Sequence, residues 1–121
     1  MTFRFAARAL LGMSVALFVH AARAETLTGR IVGISDGDTV TLLDATRQPH
    51  TIRLTGIDAP ERRQAFGNVS RQHLAGLVFG REVVANCPKA DRYGRSLCKI
   101  ERGGVDANLA QIEAGMAWHY T

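Results

Sequence analysis

The sequence predicts a small α+β fold dominated by β-structure: a five-stranded barrel of the OB type that carries two helices. The length of 121 residues allows a single domain. Short stretches rich in β-branched residues alternate with turn residues, and the order is three strands, a helix, two strands and a helix. Hydrophobic residues make up 46% and charged residues 21% of the chain, which excludes a disordered tail, a collagen-like chain and a coiled coil.

Residues 1–24 are typical of a signal peptide. Arg4 and Arg8 flank the start, an apolar run covers residues 9–19, and Ala22-Arg23-Ala24 places small residues at a cleavage site. The apolar run is about eleven residues long, too short for a membrane anchor. We therefore expect residues 25–121 to form the domain of a periplasmic or secreted protein that leaves the membrane after cleavage. An uncleaved N-terminal helix is the alternative.

The net charge of +4 belongs mostly to this leader. Three of the 15 Lys and Arg residues and none of the 11 Asp and Glu residues precede residue 25. Without the leader, 12 basic residues stand against 11 acidic ones, a net charge of +1. A globally basic mature protein is therefore excluded.

The first three predicted strands follow one another directly. Residues 28–34, 39–43 and 51–54 are rich in β-branched side chains, and turn residues separate them. The first turn, residues 35–38, contains two aspartates and a glycine.

A helix, two strands and a second helix complete the prediction. Helical spacing predicts the first helix, and Gly80 ends it; its apolar side is Val69, His73, Leu74, Leu77 and Val78. Residues 82–87 and 96–100 are the fourth and fifth strands. Asp106 is a plausible N-cap of a second helix that has Leu109, Ile112 and Met116 on one face.

Cys87 and Cys98 are the two cysteines of the chain. In an exported protein an even number of cysteines favours a disulfide. They flank a segment whose centre, residues 91–95, has the composition of a turn, so two strands that fold back there place the pair opposite each other. Two unpaired buried thiols are the alternative.

The polar residues of the turns suggest metal-assisted chemistry on a phosphodiester. Asp36 and Asp38 lie at one corner, and Asp58 and Glu61 follow the third strand. That strand contains Arg53, and the turn at residues 91–95 contains two more arginines. Carboxylate and carbonyl oxygens suit a hard cation such as Ca²⁺, and arginine binds phosphate oxygens in a bidentate way. Residues 33–37 match G-x-S-x-G, but a strand follows them where a hydrolase elbow needs a helix. An EF-hand and a zinc site fail on ligand spacing.

Three motifs together resemble the staphylococcal nuclease (thermonuclease) family in order and spacing. They are Asp36-Gly37-Asp38-Thr39-Val40, Ile52-Arg53-Leu54 with Gly56-Ile57-Asp58-Ala59-Pro60-Glu61, and Asp91-Arg92-Tyr93-Gly94-Arg95-Ser96-Leu97. The resemblance covers roughly residues 27–116. It implies an OB-fold barrel with added helices and a Ca²⁺-dependent enzyme that cleaves DNA and RNA by attack of water on phosphorus and leaves 3′-phosphates.

The resemblance also implies a role for each matching residue. Calcium would be held by Asp38, Asp58 and the backbone carbonyl of Ala59. Arg53 and Arg95 would clamp the phosphate, and Glu61 would be the general base. Arg92 and Tyr93 match positions that contact the terminal phosphate of the substrate. We expect a monomer that binds DNA, RNA or both and needs no stable protein partner.

Two departures from the family pattern leave alternatives open. The loop after Glu61 is shorter and carries Arg62-Arg63 in place of a lysine-rich stretch. Family chains continue into a further helix beyond the position of Tyr120, so this C-terminal helix is expected to be missing. We expect Trp118 to be a core residue or a contact of that helix, and not a platform for base stacking. A non-catalytic OB-fold binding module and a truncated, inactive remnant therefore stay as alternatives to the nuclease.

Overall fold

The computed structural model describes residues 24–120, so the predicted signal peptide lies outside the described residues apart from Ala24. The predicted order of strands and helices is confirmed, with three two-residue strands added. The elements are β1 (Glu25–Asp36), β2 (Thr39–Asp44), β3 (Pro49–Leu54), β4 (Ile57–Asp58), α1 (Gly67–Val78), β5 (Glu82–Ala90), β6 (Ser96–Arg102), β7 (Val105–Asp106), α2 (Ala107–Glu113) and β8 (Trp118–His119).

The five long strands form the predicted OB-type barrel. Their order is β3-β2-β1-β5-β6, with β7 beyond β6, and a parallel pairing of β3 with β6 closes the ring. β1 pairs with β5 through its first half and with β2 through its second half, where two register shifts bend it. Gly29 lies where β1 pairs with both β5 and β2. A larger residue does not fit there, because an added Cβ would be 2.2 Å from the carbonyl oxygen of Leu43.

The hydrophobic core fills the barrel and the space beneath α1. Alternate residues of each strand point inward, as the period of two requires. Among residues 24–120, the large aliphatic residues with under 2% exposure are Ile31, Val40, Leu42, Ile52, Leu54, Ile57, Leu74, Val78, Val83 and Ile100. Burial of each such side chain contributes roughly 1.5–3 kcal/mol to the free energy of folding.

Both helices lie where the sequence predicts them, but some of the residues that were predicted to face the core do not. Leu74 and Val78 of α1 are buried, but Val69 is exposed. Asp106 caps α2 as predicted, since its carboxylate accepts a hydrogen bond from the Leu109 N–H at 3.0 Å.

The face of α2 that enters the protein carries polar as well as apolar side chains, which corrects the predicted apolar face in part. Ile112 packs against the core as predicted. Leu109 is 49% exposed, whereas Asn108 and Gln111 are buried. Asn108 donates to the carbonyl oxygens of Thr55 and Cys98 and accepts from the Ile100 N–H. A buried amide is tolerated when all its polar groups are bonded, so hydrogen bonding to strand ends decides this orientation.

Cys87 and Cys98 form the predicted disulfide, with an S–S distance of 2.02 Å. They lie on β5 and β6, which are antiparallel and fold back at residues 91–95. The pairing confirms the predicted hairpin.

After α2 the chain forms β8, which pairs with β4 in a separate two-stranded sheet. Trp118 is 52% exposed, so the first alternative, a core residue, is wrong. The second, a contact with a further C-terminal helix, stays a prediction. Within residues 24–120, no helix is long and apolar enough to cross a membrane.

Candidate nucleic-acid site

The corner between β1 and β2 holds Asp38 in a buried position. Its side chain is only 8% exposed, yet both carboxylate oxygens have donors. Thr39 Oγ1 donates to Oδ1 at 2.9 Å, and the Ala59 N–H donates to Oδ2 at 2.9 Å. Buried carboxylates need such donors. The backbone after β4 therefore stabilises the corner that carries Asp38, and Asp38 in turn fixes the position of that backbone.

Arg53 joins the two predicted metal carboxylates. Its Nη1 lies 3.3 Å from Asp38 Oδ2, and its Nη2 donates to Asp58 Oδ1 at 3.3 Å. Nη1 also donates to the backbone carbonyl of Ile57 at 2.9 Å. Two carboxylates and a carbonyl therefore converge on one cationic group, whose side chain is only 17% exposed.

The loop after β4 presents Glu61 to solvent. The Glu61 N–H donates to Gln64 Oε1 at 2.7 Å, and the Arg62 N–H donates to Asp36 Oδ1 at 2.9 Å. The loop backbone is thus held, whereas the Glu61 carboxylate makes no hydrogen bond or ion pair within residues 24–120.

Asp91 organises the turn that carries the other arginines. Its Oδ1 accepts from the backbone N–H groups of Tyr93 and Arg95, and its Oδ2 accepts from Arg95 Nε at 2.7 Å. Partial burial raises the pKa of Asp91, but the hydrogen bonds and charge of Arg95, with the Tyr93 N–H, outweigh it and hold that pKa below its usual range. Asp91 therefore orients Arg95.

Tyr93 lies between the two arginines of this turn. The guanidinium carbons of Arg92 and Arg95 lie 5.2 Å and 6.0 Å from the centre of its ring, within the range of cation–π interactions. The ring itself is 71% exposed. The turn therefore presents two cations and an aromatic face to solvent.

Barrel closure brings these groups into one groove. β3 pairs with β6, and the register places Arg53 opposite Leu97, just after the turn. The groove has a volume of about 570 Å³. Its charged and aromatic lining comprises Arg53, Asp58, Lys89, Asp91, Arg92, Tyr93, Arg95 and Tyr120.

The groove collects five of the eight sequence-predicted catalytic, substrate and metal residues: Arg53, Asp58, Arg92, Tyr93 and Arg95. The other three do not line the groove. Asp38 is linked to it by its ion pair with Arg53, and the N–H of Ala59 donates to Asp38. Glu61 lies on the loop that follows β4. Lys89 and Tyr120 were not assigned to the site from the sequence. Lys89 precedes Asp91 by only two residues, and this proximity could have suggested that Lys89 lies at the site. Tyr120 reaches the groove only because β8 pairs with β4.

Asp38 and Asp58 suit a hard cation better than a transition metal. Both carboxylates approach the same guanidinium, and all the donors offered there are oxygens, the ligand type that Ca²⁺ prefers. Within residues 24–120, no three His, Cys, Asp or Glu side chains are grouped as metal ligands. The residues fit a cation whose remaining ligands are backbone carbonyls and water.

Comparison with known proteins points to nucleases. The sequence profile of a family described as staphylococcal nuclease homologue matches residues 51–121, which include Arg53, Asp58, Glu61 and Arg95. Protein ParB of Escherichia coli is 43% identical over 93% of this chain and 68% of its own length.

Two further relatives carry nuclease names. A protein of Haemophilus influenzae described as an uncharacterized endonuclease is 42% identical over 79% of this chain and 54% of its own length. Micrococcal nuclease of Shigella flexneri is 39% identical over 95% of this chain and 71% of its own length. The chain thus spans between about half and seven tenths of these relatives.

Proposed function

Because the chain belongs to the staphylococcal nuclease homologue family, we propose that it hydrolyses the phosphodiester bonds of DNA, RNA or both. The observation that carries this proposal is the convergence of Arg53, Asp58 and Arg95 in one groove beside Arg92 and Tyr93. Carboxylates that suit a metal and guanidinium groups that suit phosphate occupy the same surface, as phosphodiester hydrolysis requires.

We propose Ca²⁺ as the cofactor, held by Asp38, Asp58 and the backbone carbonyl of Ala59. When bound there, calcium would supply the Lewis acid that polarises a phosphoryl oxygen and would help to position the attacking water. The Ala59 N–H and Thr39 hydroxyl hold the Asp38 carboxylate in place, so little side-chain freedom is lost when a cation binds.

Arg95 and Arg53 are the proposed phosphate clamps. Asp91 occupies Arg95 Nε, whereas the two terminal nitrogens of Arg95 make no hydrogen bond within residues 24–120. They form a planar fork that matches two phosphate oxygens. Arg53 is held by Asp38 and Asp58 and supplies its charge from within the groove. Arg92 and Tyr93 bind the terminal phosphate next to them.

Glu61 is the proposed general base. Its exposed carboxylate takes a proton from water, the water oxygen bonds to phosphorus, and the bond from phosphorus to O5′ breaks as O5′ gains a proton. The products are a 3′-phosphate and a 5′-hydroxyl.

Export and a monomeric state complete the proposal. β1 begins at Glu25, the residue after the predicted cleavage site, so cleavage would leave every strand intact. A disulfide between Cys87 and Cys98 suits the periplasm or the extracellular space. The intact mass of protein recovered from the periplasm or medium tests this; a retained Met1 would contradict it.

Digestion assays test the activity. Purified protein should cleave single-stranded or double-stranded DNA or RNA with calcium and stop when a chelator is added. Products should be ligated to a 5′-phosphate-bearing strand only after their 3′-phosphates are removed. Retention of nucleic acid without any cleavage would instead favour the non-catalytic binding module, for which the exposed Tyr93 in the groove is the supporting observation.

A further inference from the structure

A second, smaller hollow lies beside the candidate site. This aromatic cleft is lined by Pro60, Phe66, Ser70, Gly115, Met116 and Trp118 and has a volume of about 180 Å³. Pockets for drug-sized ligands measure ~300–1,000 Å³, so the cleft suits a single planar ring. Its two aromatic residues are large and exposed: Phe66 at 78% and Trp118 at 52%.

The aromatic cleft adjoins the proposed reaction centre. In the β4–β8 ladder, Trp118 is the register partner of Asp58. Directly opposed residues of an antiparallel pair share one face of the sheet. Asp58 lines the groove and Trp118 lines the cleft, so the two hollows meet at this ladder. Pro60, directly before Glu61, forms another wall of the cleft.

The backbone holds Phe66 in an unusual conformation. Its φ of 64° and ψ of 1° are left-handed, a region that bulky residues rarely adopt. The side chain does not cap α1, and its exposure shows that burial does not explain the conformation. Strain of this kind is concentrated at ligand-binding sites.

The loop beside the cleft carries two exposed arginines and one exposed glutamate, Glu61, so its net charge is positive and suits a polyanion. Arg62 and Arg63 are exposed and lie on the loop between Pro60 and Phe66. An exposed aromatic pair beside solvated arginines is the combination with which OB folds bind single strands, since bases stack on the rings and arginines follow the phosphates.

We propose that Phe66 and Trp118 form a base-stacking subsite for an unpaired nucleotide of a single-stranded substrate. The subsite takes a nucleotide that neighbours the one bound in the groove, across the pairing of Asp58 with Trp118 in the β4–β8 ladder. The inference rests on the proposed nuclease function, and it adds that the substrate is an unpaired strand because a paired base cannot enter the cleft.

Trp118 is the single tryptophan of the sequence, so its fluorescence reports on the aromatic cleft directly. The probe is an oligothymidylate of about eight nucleotides, within the ~4–16-nucleotide range of OB-fold sites, added with a chelator to prevent cleavage. Its addition should quench Trp118 emission, and a duplex of equal length should quench it far less.

Variants then locate the contact. Phe66→Gly removes the ring at a position where glycine has no backbone strain, and Trp118→Ala removes the indole. Each should weaken oligonucleotide binding, measured by fluorescence anisotropy of a labelled strand, roughly 5- to 150-fold. Phe79→Ala is the matched control, because Phe79 is 54% exposed and lies at the other end of α1; its binding should be unchanged.

The outcomes separate this inference from the proposed function. Calcium-dependent cleavage without quenching of Trp118, or equal loss of binding in Phe66→Gly and Phe79→Ala, would overturn the subsite and leave the nuclease intact. Quenching in a protein that cleaves no substrate would support the subsite and overturn the nuclease. A third outcome is that Trp118 emission changes with protein concentration and not with oligonucleotide, while sedimentation shows dimers. That result would mean that a second copy of the chain covers the cleft, and it would overturn the inference.

Discussion

At the scale of single residues, the site depends on how each charged group is already bonded. Arg53 and Asp38 are both largely buried and neutralise each other, while Asp58 is 39% exposed. Breaking a buried pair leaves an uncompensated charge, so substitution of either Arg53 or Asp38 alters stability together with chemistry. Arg95 and Glu61 are the residues at which catalysis can be tested with the least disturbance of the fold.

Arg95→Lys should reduce kcat about 10²- to 10³-fold, the range for loss of one donor to the transition state. Lysine retains the charge but lacks the planar fork and the Nε–H that Asp91 accepts. KM should change far less. Arg30→Lys, on the exposed side of β1, is the control. Steady-state kinetics with saturating calcium checks this, and a near wild-type kcat would remove Arg95 from the mechanism.

Glu61→Gln should lower kcat ~10²- to 10⁴-fold, since a general base contributes that much. Its carboxylate makes no hydrogen bond or ion pair within residues 24–120, so the thermal midpoint and the calcium Kd should stay close to wild type. Isothermal titration in parallel with kinetics checks both. Glu82→Gln, an exposed residue of β5, should change neither. An undiminished rate in Glu61→Gln would show that another group accepts the proton.

At the scale of elements, α1 and α2 hold the corner that carries Asp38. Gln111 of α2 is fully buried and donates to the carbonyl oxygens of Gly37 and Ser70 at 2.7 Å and 3.2 Å. His73 of α1 bonds Gln111 in turn. The helices thus position the corner that carries Asp38 by hydrogen bonds as well as by packing.

Gly37→Ala tests how closely α1 approaches this corner. A Cβ at Gly37 would lie 1.8 Å from Ser70 Oγ and 2.8 Å from Ser70 Cβ, so the helix must move. We expect a loss of roughly 1–3 kcal/mol in the free energy of unfolding and weaker calcium binding. Gly76→Ala in the same helix meets nothing within 4 Å and should stabilise the protein by about 0.5–1 kcal/mol. Urea denaturation of both variants checks this; equal stabilities would contradict the close approach.

The disulfide makes a separate contribution at the hairpin of β5 and β6. It closes a loop with a sequence separation of 11 residues, for which the loop-closure entropy of the unfolded chain predicts roughly 2–3 kcal/mol. The Cys87→Ala, Cys98→Ala double variant should lose about that amount in urea denaturation and keep the barrel, as judged by circular dichroism. An unchanged denaturation midpoint would show that the hairpin needs no covalent link.

At the scale of the whole molecule, closing the barrel creates the site and couples ligand binding to folding. The groove combines residues of β3, β4 and the turn between β5 and β6, which meet only in the folded state. Calcium with a nucleoside bisphosphate should therefore raise the melting temperature, since a ligand bound only by the folded state adds about 2.7 kcal/mol at 100 times its Kd. Calorimetry with ligand and with chelator checks this; equal midpoints would contradict binding in the groove.

The sequence alone determined the order of the main elements, the barrel class, the disulfide pair and five residues that line the groove, Arg53, Asp58, Arg92, Tyr93 and Arg95. These follow from local patterns: β-branched runs, turn residues and three motifs that are specific when taken together. It also placed Asp106 correctly as a helix cap, because a cap is a contact between residues three apart.

Only the tertiary structure decided which faces are buried and which groups touch. Leu109 is exposed and Gln111 buried because carbonyl oxygens of Gly37 and Ser70, distant in sequence, need a donor. The bridging of Asp38 and Asp58 by Arg53, and the position of Trp118 beside Asp58, likewise arise from pairings between separated strands. Periodicity reports which residues are apolar, but the partners that satisfy a buried polar group are set by how the strands and helices pack.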